Sequence, residues 1–180
     1  PVRGDGVRVF FVNCRFLGFQ DTLYPHGEKS RQYYKICHIE GTVDFIFGWS
    51  TAVFEDCTIF CKKGGYITAA STLETTPYGF IFINCKITGD APENSFYLGR
   101  PWRPFAKTVF INCYLDKHIR PEGWHNWNKP DAEKTSFYAE YNSKGPGANS
   151  SSRVKWAHML SEQEAENYTP EKIFGDWKIK

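Results

Sequence analysis

The 180-residue sequence predicts an all-β solenoid, a parallel β-helix with a short helical and loop excursion at its C-terminal end. Three observations predict it. The first is the residue palette: Phe, Tyr and Trp supply 31 positions and Val, Ile and Thr another 32, against 17 for Leu, Ala and Met together. Branched and aromatic side chains lose rotamer freedom in a helix and pack well on a pleated surface. The second is a recurring strand that carries one cysteine. The third is that no segment of that recurring region follows the 3.6-residue period of an amphipathic helix.

In order along the chain, the recurring strands are VFFVNCRFLG around Cys14, YYKICHIEG around Cys37, AVFEDCTIF around Cys57, FIFINCKITG around Cys85 and TVFINCYLD around Cys113. Each alternates apolar and polar residues, and four carry Asn or Asp immediately before the thiol: Asn13, Asp56, Asn84 and Asn112. The cysteines are spaced by 23, 20, 28 and 28 residues. One short strand per 20 to 30 residues is the period of stacked coils, and equivalent residues of successive coils then form ladders about 4.8 Å apart. Residues 1–122 are read as such coils. Beyond them, residues 123–180 hold GWHNWN, a Gly/Ser/Asn-rich stretch and a polar run, read as the last coil and a flanking or capping segment of the same domain. Ser161 followed by Glu and Gln, and Thr169-Pro170-Glu171, mark two short helix starts.

Charge and cysteine content exclude several classes of function. A net charge of +2 is too small for a dedicated nucleic-acid footprint, though it permits an anionic polymer at a local patch. No apolar run approaches the roughly 18 residues of a membrane span. The six cysteines show no CxxC pairs, and no His or Cys completes a metal-ligand set. The five in the recurring strands read as small buried side chains of one ladder, and neighbouring rungs are near enough for a Cys37–Cys57 disulfide in an oxidising compartment. The chain opens in mid-pattern at Pro1-Val2-Arg3 without Met, which suggests an upstream segment.

The repeat register carries the first hint of chemistry. Asp21 lies seven residues after Cys14, and Asp44 seven after Cys37. Coils stacked in register place the two carboxylates side by side, about 5 Å apart. Two such charges do not both ionise comfortably, so the pair divides into a proton donor and an anion, the needs of acid/base and nucleophilic catalysis. Asp44 lies among the apolar residues of GTVDFIFG, which penalise its charged form unless a cation faces it. Arg100 in YLGRPW is the natural candidate, because a guanidinium pairs bidentately with a carboxylate. Gln20 offers a neutral amide donor for an oxyanion, and Trp102 a flat apolar face for a sugar. Taken singly, an Asp in a turn and an Arg-Pro-Trp have ordinary structural roles; the matched offset is what points to function. His118, His125 and His158 have no interpretable partner spacing.

Three blocks, GFQDTLY (18–24), GTVDFIFG (41–48) and YLGRPW (97–102), resemble the signature blocks of the pectin methylesterases. GYITAAS (65–71), RPEGWHNW (120–127) and EYNSKGPGA (140–148) resemble further blocks in the same order, so the resemblance runs from about residue 5 to 175. It implies a right-handed parallel β-helix that removes methyl esters from homogalacturonan, without metal or organic cofactor. By that resemblance Asp44 is the nucleophile and Asp21 the proton donor and later base. Gln20 stabilises the oxyanion, Arg100 orients Asp44, and Trp102, Val43 and Phe47 contact the sugar, Phe47 being equally compatible with a core position. The implied partner is the methyl-esterified wall polymer. The implied setting is extracellular, cell-wall or periplasmic, with a monomer as the default.

Two departures from the family pattern carry expectations. Family members have a second oxyanion glutamine on a coil upstream of the QDT block, and nothing before Gln20 supplies it. The stretch is therefore expected to be the catalytic and C-terminal part of a longer solenoid, poorly active and unstable alone. The YITAAS block also ends in Ala70-Ser71 where many relatives have a glutamine. Two other readings stand beside this one. A polygalacturonase or lyase would share the scaffold, but the NTD, DD and GHG strings of the hydrolases are absent and the carboxylates show no calcium cluster. A non-catalytic carbohydrate-binding solenoid would keep Trp102, Trp124 and Trp127 but have no need of Asp21, Gln20 or Arg100.

Overall fold

The computed structural model describes residues 1–179. Five successive coils each contribute three short strands. These are β1 (Val2–Gly4), β2 (Arg8–Val12) and β3 (Arg15–Leu17); β4 (Leu23–Pro25), β5 (Arg31–Lys35) and β6 (His38–Gly41); β7 (Ile46–Gly48), β8 (Thr51–Glu55) and β9 (Thr58–Cys61). They continue with β10 (Gly65–Ala70), β11 (Phe80–Ile83) and β12 (Lys86–Gly89), then β13 (Phe96–Gly99), β14 (Lys107–Ile111) and β15 (Tyr114–Leu115). After α1 (Ala132–Thr135), β16 (Phe137–Tyr141) and β17 (His158–Met159) extend the middle sheet. Every strand pairing is parallel, and the three sheets run β1-β4-β7-β10-β13, β2-β5-β8-β11-β14-β16-β17 and β3-β6-β9-β12-β15. This is the right-handed parallel β-helix.

The register between the first two coils is the same in the middle and third sheets, where Arg8 faces Arg31 and Arg15 faces His38. One coil higher the first sheet repeats the same offset, Leu23 facing Ile46. No insertion interrupts the path from β2 to β7, which is why counting residues from cysteine to aspartate works there. Later coils carry insertions, notably between Ala70 and Phe80.

The lumen is filled by ladders. Phe11, Tyr34, Phe54, Phe82 and Phe110 stack ring on ring at centroid separations of 5.3, 4.7, 4.6 and 4.4 Å. Ile39, Ile59, Ile87 and Leu115 are fully buried beside them. Cys37, Cys57, Cys85 and Cys113 form a buried thiol ladder, with Cys14 half-buried at its end. All six thiols are free, so the Cys37–Cys57 bridge that the spacing permits is not formed. In-register side chains of parallel coils point the same way at the rung spacing of about 4.8 Å, wider than the ~3.8 Å Cβ separation of a disulfide. The Cys57 thiol instead donates to carbonyls of Tyr34 and Glu55.

The residue before each ladder cysteine has left-handed backbone geometry and turns the chain from the middle sheet to the third. Asn13, Ile36, Asp56, Asn84 and Asn112 have φ of 53, 54, 54, 53 and 52°. Asn and Asp tolerate this region, whereas a β-branched residue is strained there. Ile36 is the exception, and its side chain lies exposed. Ile36→Asn is therefore expected to stabilise the protein by about 1 kcal/mol. Urea midpoints of the two proteins measure it, and an unchanged or lower midpoint would show that Ile36 has packing worth more than its strain.

The C-terminal segment flanks the coils. The helix α2 (Glu162–Ala165) starts at Ser161 with a reciprocal capping box to Glu164, and α3 (Pro170–Phe174) starts at Thr169 with Pro in its first turn. Ile173 and Phe174 pack on Tyr33, Val53 and Ile81 of the middle sheet, and Leu160 packs on Val109, Ile111 and Ala139. Covering this sheet face allows its strands to be apolar on both sides, as the FIFI of β11 is. A buried ion pair fastens the approach to it: Arg153 donates Nε to Glu140 Oε1 at 2.6 Å and Nη2 to Oε2 at 3.1 Å. Its remaining donors reach the carbonyls of Pro121 and Gly147.

Candidate active site

The turn between the third and first sheets positions the aspartates. Asp21 and Asp44 both have left-handed backbone, with φ of 55 and 52°. The Asp21 amide donates to the carbonyl of Val43 and the Leu23 amide to that of Phe45, which sets Asp21 one rung below Asp44. Equivalent φ on adjacent coils is what the matched seven-residue offset requires.

Asp44 is 6% exposed. Arg100 meets it in the bidentate geometry, Nε to Oδ1 at 2.9 Å and Nη2 to Oδ2 at 2.8 Å. Arg100 sits just past β13, its own amide bonded to Thr68 O. Gly99 before it lies against Thr68 and Trp124, and any Cβ there would overlap the Thr68 hydroxyl. The backbone thus comes close enough for the guanidinium to reach a carboxylate two coils away.

Asp21 has no such cation. Partial burial, and secondarily the Asp44 charge, push its carboxyl above the ordinary Asp range. The two carboxylates are therefore differentiated, one paired and the other inclined to hold a proton. For Asp21 the folded state binds the proton more tightly than the unfolded chain, so its contribution to stability falls as pH rises through and above that range. Asp21→Asn stays neutral and tolerates positive φ. It is expected to stabilise the protein at neutral pH, by at most about 1 kcal/mol after solvent screening, and not at pH values where both forms are neutral. Thermal melts of the pair across pH check this, and an Asn variant less stable at neutral pH would contradict it.

Gln20, Asp21, Asp44, Phe47, Ala69, Arg100, Trp102 and Trp127 line one cleft of about 280 Å³. The candidates Gln20, Asp21, Asp44, Arg100, Trp102 and Phe47 are thus brought together. Val43 is not among the lining residues; it flanks Asp44 across the left-handed turn, where adjacency in sequence is not adjacency in the cleft. Phe47 stacks on Tyr24 at 4.3 Å, with Trp102 edge-on to Phe47 at 6.0 Å, giving an aromatic wall. Beyond Trp102 a second cleft of about 480 Å³ continues along Tyr24, Trp49, Leu73, Arg103 and Phe105.

The placement of three residues around Arg100 emerges only from the structure. The Arg100 guanidinium lies between two aromatic faces, 3.8 Å from the Tyr66 ring centroid and 3.6 Å from that of Trp127. His125 packs against Tyr66 and Tyr97, with ring centroids 5.8 and 5.2 Å away. The only sequence signal for them was their place in the GYITAAS and RPEGWHNW blocks. The insertions between coils hide their common location from residue counting.

Fold and site together define a β-helix with a carboxylate pair, one member gripped by arginine, set in an aromatic groove. The chain belongs to the pectinesterase family, whose model matches residues 2–176. Pectinesterase 31 of Arabidopsis thaliana is 48% identical over 93% of this chain and 52% of its own length. The structure of pectin methylesterase from carrot superposes with a TM-score of 0.84 at 33% identity, covering 91% of this chain and 56% of that one. A pectin methylesterase in complex with a hexasaccharide gives a TM-score of 0.80 at 32% identity, covering 94% and 57%. The chain thus spans about half the length of these relatives.

Proposed function

We propose that the chain carries the catalytic centre of a carboxylic ester hydrolase that removes methyl esters from homogalacturonan, releasing methanol and pectate. The observation that carries the reading is the bidentate grip of Arg100 on buried Asp44, one rung above the more exposed Asp21. Arg100 keeps the carboxylate aimed, and an Asp44 oxygen attacks the carboxymethyl carbonyl of a galacturonate unit. Gln20, one of the residues lining the cleft, donates its side-chain amide to the oxyanion. Collapse expels methoxide, which takes the proton of Asp21 and leaves as methanol. Water then attacks the galacturonyl carbonyl of the anhydride while Asp21, now a carboxylate, takes its proton and Asp44 is regenerated. No metal or organic cofactor takes part in these steps.

The aromatic wall of Tyr24, Phe47 and Trp102 and the cleft beyond it suit an extended sugar chain, and the hexasaccharide bound by a family relative accords with a polymeric substrate. A wall polymer places the protein outside the cell or in a periplasm, working as a monomer. Among the described residues no helix is long and apolar enough to cross a membrane. The test is a product assay on methyl-esterified homogalacturonan with the natural protein. The reading expects methanol without new reducing ends and without unsaturated products. New reducing ends would indicate a glycosidase, unsaturated products a lyase, and binding without turnover a carbohydrate-binding solenoid.

A further inference from the structure

His125 sits behind the arginine clamp. Its ring Nδ1 accepts the backbone N–H of Trp127 at 3.0 Å. Trp127 and Asn128 both have left-handed backbone, φ 57 and 54°, and a bulky Trp adopts that conformation only when something holds it. Asn126 reinforces the turn, its Oδ1 accepting from Asn128 N and its Nδ2 donating to Glu133. Lys129 ties the far end to the carbonyls of Pro101 and Trp102. The result lays the Trp127 indole on one face of Arg100 while Tyr66 covers the other.

We propose, resting on the esterase reading, that His125 is a pH-sensitive positioning residue, whose neutral imidazole holds Trp127 against Arg100 and so fixes the guanidinium that aims Asp44. An acceptor at Nδ1 is required, because the backbone N–H can only donate. Protonation puts a second donor opposite that N–H, and the strained turn loses its tie. The groups facing His125 all disfavour a positive ring. Tyr66 of β10 and Tyr97 of β13 bury it, and Arg100 and Arg120 approach it as cations, with Glu122 engaged by Arg120. Burial first, and then the two arginines, hold the His125 pKa below its ordinary value. The clamp is thus closed through neutral pH and opens only on acidification.

Asparagine separates the acceptor from the titration, since its Oδ1 takes the place of Nδ1 and carries no proton at any pH used. In the natural protein, His125→Asn should keep the neutral-pH kcat within about two-fold and lose the part of the acid limb that His125 contributes. His125→Gln, which reaches as Nε2 does, and His125→Ala should lower kcat by about ten- to a hundred-fold with little change in KM. Equal kcat in all four proteins, or Asn no better than Gln, overturns the proposal. A second readout needs no turnover: tryptophan emission followed against pH should show an acid transition that disappears in both His125→Asn and Trp127→Phe. A transition retained in either variant overturns the clamp. If no protein releases methanol, the esterase reading has failed, and the emission titration still decides whether His125 holds Trp127.

Discussion

Asp44→Asn is expected to lower methanol release by about 10⁴-fold or more, the scale on which removal of a nucleophile is felt. An amide is isosteric and tolerates the positive φ at this position, so the fold should survive. It also leaves Arg100 a carbonyl oxygen to hold. What disappears is the anionic oxygen that, in the proposed mechanism, attacks the ester. On the proposed reading the polymer is held by the aromatic wall of Trp102, Phe47 and Tyr24, so binding should be retained. Turnover above one-hundredth of the natural rate, with the Asn verified by mass, would remove Asp44 from the nucleophile role. Loss of binding together with turnover would place it in substrate recognition instead.

The second large effect falls on stability. Side chains of Arg153 and Glu140 are only 3% and 4% exposed, and the guanidinium meets the carboxylate through two hydrogen bonds. Arg153→Met leaves the Glu140 carboxylate in a dry environment without its cation, at a cost of about 3–5 kcal/mol. The same logic makes the double variant Glu140→Leu, Arg153→Met more stable than the single one, because no unpaired charge remains. Urea unfolding of the natural protein and the two variants tests this ordering. A single variant within about 1 kcal/mol of the natural protein would mean that water reaches Glu140 and that the pair is not buried in solution.

How much of this was legible in the sequence follows from where insertions fall. From Cys14 to Ile46 the coils repeat without a break, so Asp21 and Asp44 could be stacked by counting, and the structure pairs the flanking residues at that same offset. The thiol ladder and the polar residue before each cysteine were readable for the same reason, although their conformational meaning, a left-handed turn, was not. Ile36 shows why: it adopts the geometry without having the side chain that signals it. Arg100 was found by chemistry, as the planar cation able to meet a carboxylate bidentately. Tyr66 and Trp127 escaped because loops of unequal length separate their coils, and a ring lying on a guanidinium leaves no spacing signal. The C-terminal helices were marked by Ser161 and Thr169, whereas their seat on the middle sheet depended on tertiary packing of Ile173 and Phe174.

The central claim is a covalent step at Asp44, and hydroxylamine trapping during turnover tests it most directly. An acyl-enzyme anhydride is open to hydroxylamine at the aspartyl carbonyl, which converts the side chain to a hydroxamate. With methyl-esterified oligogalacturonide present, peptide mass mapping of the natural protein should find that modification on the peptide carrying Asp44. It should be absent without substrate and absent in Asp44→Asn. Sustained methanol release with neither an Asp44 hydroxamate nor an enzyme-dependent galacturonyl hydroxamate, the product of attack at the other anhydride carbonyl, would contradict the account, as would a substrate-dependent hydroxamate on a different carboxylate.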